Sequence, residues 1–335
     1  MKATTEPVRC ALVGHGMIGS DHARILAAVP EADLQVVCDL DESQADNIPD
    51  GVAFTSSLEE VLSNTEIEAI WICTPQHTHR SVAVPALERD LAVFCEKPMA
   101  ASLEDADAMI AAAERTGGLL AIGHTLRFDP AYIDVAEAAA NGELGTPVQL
   151  ACRWNAPDFE GRIISGRTTV PLEMMIHDLD VLRWIAGDIE EVFAMGTSIE
   201  VTGRGPDAVV GTVRFASGAV AALDHSWIMP AATGLISDHR LAVFGTAGVA
   251  YVENRETPAQ IFAGTPRFIN SSYNADAHGI PSGALPSEDR YFLAMVRDSR
   301  PWPLSLADAR AALVAGLAMD RSVLERRPVR ISELT

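Results

Sequence analysis

The stretch Arg9–Val29, RCALVGHGMIGSDHARILAAV, decides how the rest of the chain is read. A short apolar run reads as a buried strand. Gly14, Gly16 and Gly19 follow, and then apolar residues at helical spacing. A lone G-x-G-x-x-G is a weak signal, but between a strand and a helix each glycine has a task. The first permits the turn, the second lets the backbone approach a pyrophosphate, and the third lets helix and strand pack closely. The helix start, with Met17 and Ile18, offers free N–H groups to phosphates.

A second strand, LQVVCDLD, ends in Asp39, where an acid reaches the ribose hydroxyls of NAD. A loop acid after a strand is the plain alternative, and the agreement of strand, glycines, helix and acid argues against it. A 2′-phosphate ~5 Å from this carboxylate would meet about 3 kcal/mol of repulsion per unit charge at an effective dielectric of ~20. Asp41 adds to this, and no arginine follows immediately, so NAD is expected over NADP.

The alternation continues outward. Leu58–Leu62 reads as a short helix, AIWICTP as a buried strand, SVAVPALERD as a helix and LAVFCEKP as a strand. LEDADAMIAAAERTG is a helix closed by Gly117 and Gly118, and LLAIGH is a last strand. This is the pattern of an α/β Rossmann domain, a doubly wound parallel sheet, assigned to residues 1–123. Ligands bind beyond the carboxyl ends of such strands. Gly14-His15-Gly16, Cys73-Thr74-Pro75 and Glu96-Lys97-Pro98 fall at those ends.

After Pro130 the pattern changes. A helix, AYIDVAEAAANGELG, leads into PVQLACRWNAP and a series of alternating runs, with hairpins at Ala216-Ser217-Gly218 and around Gly248. Residues 124–335 are therefore expected to form an α+β domain with a one-layer, mostly antiparallel sheet. Its outer face favours a homo-oligomer. The Ser-, Asn-, Gly- and Pro-rich segment from Arg267 to Leu285 reads as a loop or lid, and two helices end the chain.

Composition narrows the class. A length of 335 residues suits two domains, and 48% hydrophobic residues allow a sizeable core. A net charge of −21 disfavours nucleic acid and anionic lipid as partners. No run of ~20 apolar residues suggests a membrane span. The five cysteines form no C-x-x-C pair and read as buried free thiols. With no signal-peptide shape at the N-terminus, a cytoplasmic protein is expected. His77 and His79 lack a third ligand at recognisable spacing, so no metal is expected.

PLEMMIHDLDVLRW, Pro171–Trp184, has helical apolar spacing, yet Glu173 and His177 lie four apart within it. A satisfied core pair is the ordinary explanation for an acid and a histidine so placed. Arg127 could reach substrate hydroxyls or close a domain-junction ion pair. Trp154 and Asn155 could line a pocket or simply pack on a strand.

Taken together, GHGMIG, TPQHTH, CEKP, GHTLRFDPAY and IHDLDVLRWIAG resemble the Gfo/Idh/MocA family of nicotinamide-dependent sugar and cyclitol oxidoreductases over nearly the whole length. The resemblance implies that Lys97 faces the substrate, that Lys97–Pro98 is a candidate cis bond, and that His177 is the acid/base. It implies a large open sheet used for dimer or tetramer contacts. The expected cofactor residues are Gly14, Gly16, Met17, Ile18, Gly19, Asp39, Thr74, Pro75, His79, Glu96 and Lys97; the expected substrate residues are Arg127, Trp154, Asn155, Glu173 and His177, with Glu173 orienting His177. Two positions depart from the family's pattern: Glu173 stands where an aspartate is usual, and Gln76 where an asparagine is. The expected activity is hydride transfer between a secondary alcohol of a polyol or sugar and NAD. An NADP-dependent ketosugar reductase, an NAD-dependent glycosidase and a non-catalytic dinucleotide-binding regulator are the alternatives. The regulator predicts loss of the lysine or the histidine, and the chain keeps both.

Overall fold

Five of the six residues of β1 (Val8–Val13) are buried, as a strand covered on both faces requires. The computed structural model describes residues 6–335 except 165, 200, 202–204, 234–236, 256–258, 262–266 and 270–272. The chain divides into two compact units. The first comprises Met1–Thr125 with Tyr273–Arg310, and the second Leu126–Ser272 with Ala311–Thr335.

In the first unit β1 leads into α1 (Met17–Ala28), β2 (Ala32–Cys38), β3 (Ala53–Thr55), α2 (Leu58–Ser63) and β4 (Ala69–Ile72). Then come α3 (His79–Leu87), β5 (Ala92–Glu96), α4 (Leu103–Thr116) and β6 (Leu120–Gly123). The six strands form one parallel sheet in the order β3-β2-β1-β4-β5-β6. The order reverses beside β1, which makes the ends of β1 and β4 a ligand crevice. α4 starts on Ser102, whose side chain accepts from the Asp105 amide, and ends on left-handed Gly117.

The second unit holds α5 (Pro130–Ala140), β7 (Pro147–Pro157), α6 (Asp158–Ile164), α7 (Ile176–Ala186), β8 (Ile189–Thr197), β9 (Ala208–Phe215), β10 (Val220–Met229), β11 (Asp238–Gly245) and β12 (Val249–Arg255). Its seven-stranded sheet runs β12-β11-β7-β10-β9-β8 and closes with a short strand at Val329–Arg330. Only the β7–β10 pair is parallel among these ladders. Residues of β9 alternate buried and exposed, so one face makes core and the other does not. Leu150, Cys152, Val209, Val213, Leu223 and Leu241 pack from the sheet against Leu179 and Leu182 of α7.

Two expectations need correction. The segment Arg267–Leu285 is not a featureless loop. Arg267–Ile269 pairs with Ala259–Ile261, and Ala275–Ala277 pairs with Ile280–Ser282. The turn of the latter hairpin, His278-Gly279, has positive φ at both residues, the geometry that matches strand twist. The polar, glycine-containing composition is thus turn chemistry; residues 270–272 lie outside the described ones. Next, α8 (Ala284–Asp298) belongs to the first unit and not to the second. Phe292 of α8 meets Trp71 and Phe94 edge-on, with centroids 5.0 and 5.6 Å away. Each such aromatic pair adds about 1 kcal/mol beyond the area it buries.

All five cysteines are buried and free. Among the described residues no helix is long and apolar enough to cross a membrane. In the second unit Thr169 donates to Asp320 over 2.8 Å, and burial pushes the Asp320 carboxyl up to about 6. Between its ordinary value and that one, the folded state holds a proton the unfolded chain has released. Stability therefore falls as pH rises through this window. Asp320→Asn is expected to raise the melting temperature by a few degrees at pH 8 and to leave it unchanged at pH 4, read by thermal melts at both.

Candidate active site

The glycines of the first turn do three different things. Gly14 has φ +93°, and a Cβ there would sit 2.7 Å from the Cys73 carbonyl carbon and the Thr74 nitrogen. A Cβ on Gly19 would lie 1.9 Å from the Gly14 oxygen. These two glycines let the turn close against β4 and let α1 start on top of it. Gly16 is different: a Cβ there meets nothing within 4 Å. The open space lies at the start of α1, where no side chain caps the helix and Met17 and Ile18 hold the first N–H groups. Room beside Gly16, with donors facing it, fits a dinucleotide pyrophosphate.

Asp39 follows β2 and is held by the turn it faces. Its Oδ2 accepts from the His15 amide at 2.6 Å and its Oδ1 from the Asp41 amide at 2.9 Å. An aligned carboxylate is a fixed acceptor for ribose hydroxyls and a fixed repulsion for a 2′-phosphate. Asp39→Asn keeps the size and removes the charge. It is expected to narrow the preference for NADH over NADPH by about 10- to 100-fold, the equivalent of ~1.4–3 kcal/mol. Fluorescence titration with each nucleotide reads the two affinities.

At the end of β4 the Thr78 hydroxyl donates to Thr74 Oγ1 at 2.7 Å, and the Pro75 carbonyl accepts from the Thr78 amide at 2.8 Å. His79 turns inward. Its Nε2 lies 2.8 Å from the Thr74 carbonyl, and its Nδ1 3.1 and 3.2 Å from the carbonyls of Pro98 and Met99. Burial pushes this imidazole below its ordinary value. The position expected to touch cofactor instead ties the Thr74 turn to the segment after Lys97. Lys97 itself is half-buried and its bond to Pro98 is cis. Glu96 also departs from expectation: it is 4% exposed and its carboxylate points into the unit, onto His22 and its neighbour's amide.

The second unit supplies its own cluster. Pro171 has no N–H and opens a wider π-turn, Pro171–Met175, which passes into α7 at Ile176. Glu173 lies in that turn and His177 in the α-helix, so a single 3.6-residue period does not describe their spacing. His177 is 8% exposed and its ring tilts against Trp154 with centroids 4.9 Å apart. Trp154, on β7, stacks on His239 of β11 at 4.2 Å and 20°. Asp178, next to His177, takes His225 Nε2 at 2.7 Å and His239 Nε2 at 3.3 Å. Burial would raise the Asp178 carboxyl, but the His239 charge and the hydrogen bonds from both histidines hold it well below the carboxylate range. The Tyr132 hydroxyl lies 3.1 Å from His239 Nε2. Ser226 donates to Asn155 on the neighbouring strand.

Arg127 was open between substrate and ion pair. Its guanidinium makes a buried two-pronged bridge to Asp180, 2.7 and 2.8 Å, and lies 4.4 Å over the Trp184 ring. That arrangement places two of its five N–H donors on α7.

Sequence reading passed over Asp178, His225, His239, His22, Glu288 and Asp289. A signal existed for the last pair. Leu285, Glu288, Asp289 and Phe292 recur three and four apart, which places two acids in the apolar stripe of α8. Another signal was composition: the chain has two lysines, Lys2 and Lys97, and otherwise uses arginine as its strong base.

A glycine turn with room for a pyrophosphate, at the switch point of a parallel sheet, defines the first unit as a dinucleotide-binding domain. Residues 8–124 match the family model described as oxidoreductase family, NAD-binding Rossmann fold, and 132–251 match the GFO/IDH/MocA C-terminal domain. The chain belongs to the Gfo/Idh/MocA oxidoreductase family, and its cofactor is NAD. It is 29% identical to myo-inositol 2-dehydrogenase of Thermotoga maritima, over 98% of this chain and 99% of that one. It is 31% identical to the uncharacterized oxidoreductase YrbE of Bacillus subtilis, over 79% of each. Among solved structures it superposes on GenD2 from gentamicin A biosynthesis in complex with NAD, with TM-score 0.85 and 25% identity, covering 97% of this chain and 96% of that one.

Proposed function

We propose that the protein oxidises a secondary alcohol of a cyclic polyol or sugar, with Lys97 and His177 as the acid–base pair. NAD, when bound, takes up or returns the hydride. Lys97 holds the substrate oxygen and stabilises the negative charge that develops there. His177 removes the hydroxyl proton. Trp154 lies tilted beside it and presents an apolar edge to ring C–H groups, while Glu173 binds a neighbouring hydroxyl.

The observation that carries this reading is the setting of His177. A largely buried imidazole, tilted on Trp154, follows a widened helix turn that ends two positions before it. Widened turns of this kind collect at functional sites. The dehydrogenases of inositol among the relatives support the cyclitol class.

Purified protein mixed with NAD and a panel of inositols and monosaccharides is expected to produce NADH with at least one cyclitol. Tight NADH binding with no turnover across that panel would overturn the substrate class. We also propose that the outer face of the large sheet packs against a second copy. Met195, Val210, Val220, Val249 and Tyr251 are each 44% exposed or more, too apolar a set to face water alone. Sedimentation is expected to give a dimer or tetramer; a monomer at micromolar concentration would sink that part.

A further inference from the structure

Behind Lys97 lies a group of ionisable side chains that the proposed chemistry does not use. His22, Glu288 and Asp289 are 0% exposed and Glu96 is 4% exposed. His22 comes from α1, Glu96 from the last position of β5, and the two acids from α8. His22 Nδ1 is 2.8 Å from Asp289 Oδ1, and its Nε2 is 3.0 Å from Glu96 Oε1. Trp71 Nε1 donates to the same Asp289 at 2.8 Å, and Thr125 donates to Glu288 at 2.9 Å.

Burial alone would lower His22, but the Asp289 charge and hydrogen bonds to both carboxylates hold it well above its ordinary value. Burial and the neighbouring Glu96 and Asp289 push the Glu288 carboxyl well up. Buried ionic groups of this kind are seldom the most stable filling for a core, since apolar side chains often do as well. Their use lies in fixed orientation.

The oriented group is Glu96. One oxygen bonds the His22 imidazolium, and the other accepts from the Lys97 amide at 3.0 Å. Both oxygens are held, so the carboxylate cannot turn without breaking a buried bond. The Lys97 charge in turn helps keep Glu96 ionised against its burial, after the His22 hydrogen bond and charge. We infer that His22 is a positioning residue for Lys97: clamped by Asp289, it fixes Glu96, and Glu96 fixes the backbone of Lys97 and places a carboxylate near its ammonium. The inference rests on the role proposed for Lys97. It also ties the helix whose start faces the pyrophosphate to the lysine at the substrate, through a single imidazole.

The scarcity of lysine supplies a test that does not depend on turnover. In full-length protein carrying Lys2→Arg, reductive methylation with ¹³C-formaldehyde labels Lys97 and the N-terminal amine alone. His22→Gln keeps hydrogen-bonding capacity and removes the charge; Glu96→Gln removes the clamped carboxylate and serves if the first variant does not fold. Each is expected to displace the Lys97 methyl resonance, and the double variant to displace it no further than Glu96→Gln does. Turnover on the cyclitol that the activity panel identifies is expected to fall by about 10²-fold, the scale of a catalytic group misplaced by ~1 Å. NADH affinity by fluorescence is expected to stay within about threefold on the same argument. A Lys97 resonance at its wild-type position in both single variants would overturn the inference. So would a fall in NADH affinity that matches the fall in turnover. A resonance that moves while Lys97→Ala keeps full turnover upholds the positioning and sinks the catalytic role of Lys97 instead.

Discussion

His177→Ala is expected to lower turnover by about 10²- to 10⁴-fold, the contribution of a positioned general base. NADH affinity is expected to hold, because the glycine turn, Asp39 and α1 all belong to the other unit. The fold is expected to hold as well. The buried bonds to His225 and His239 belong to the neighbouring Asp178, and His177→Ala leaves them in place. Asp178→Ala is the contrasting change: it strands two buried imidazoles and lowers stability first. Steady-state rates with a reactive cyclitol, with NADH titration alongside, separate the two. A His177→Ala enzyme within a factor of two of wild type would remove this residue from the role of base.

Lys97→Ala is the second large effect, about 10²- to 10³-fold in turnover, the loss seen when one stabilising donor at a developing oxyanion is removed. Lys97→Arg is not expected to restore it. A guanidinium is longer, planar and differently hydrated, and a site built for a compact ammonium does not accept it as an equivalent. The half-buried position, with Glu96 locked beneath its amide, leaves little freedom to adapt. Wild-type turnover in Lys97→Ala would exclude charge stabilisation by this residue. Restoration by arginine would show that charge alone, and not shape, is what the site needs.

The two residues differ in how they could be found. Lys97 follows a strand whose buried apolar run can be read directly, so the end of β5 and the residue after it are local facts. His177 has no such frame. The 3.6-residue period paired it with Glu173, and the π-turn at Pro171–Met175 breaks that period between them. Arg127 and Asp180 lie 53 positions apart, and the bridge between them forms only when the turn that carries Arg127 meets α7. Likewise His79 reads as a cofactor contact from its place after Thr74-Pro75, yet its ring is spent on the carbonyls of Thr74, Pro98 and Met99.

What the sequence by itself determined is local or periodic. The strand–glycine–helix start, the acid just after β2, the parallel sheet implied by alternation and the change to antiparallel hairpins after Pro130 all follow from spacing, turn chemistry and burial on both faces of a sheet. The tertiary structure decided where buried charges find partners. His22 meets Asp289 from 267 positions away, and Asp178 gathers His225 and His239 from two strands. A lone charged group in an apolar stripe looks like an error until its partner is known. The partner is selected by the cost of leaving that charge unpaired in a low-dielectric interior, which sequence distance does not encode. For the same reason α8 rejoins the first unit: Glu288 and Asp289 are tolerated in its buried face only beside Thr125, Trp71 and His22.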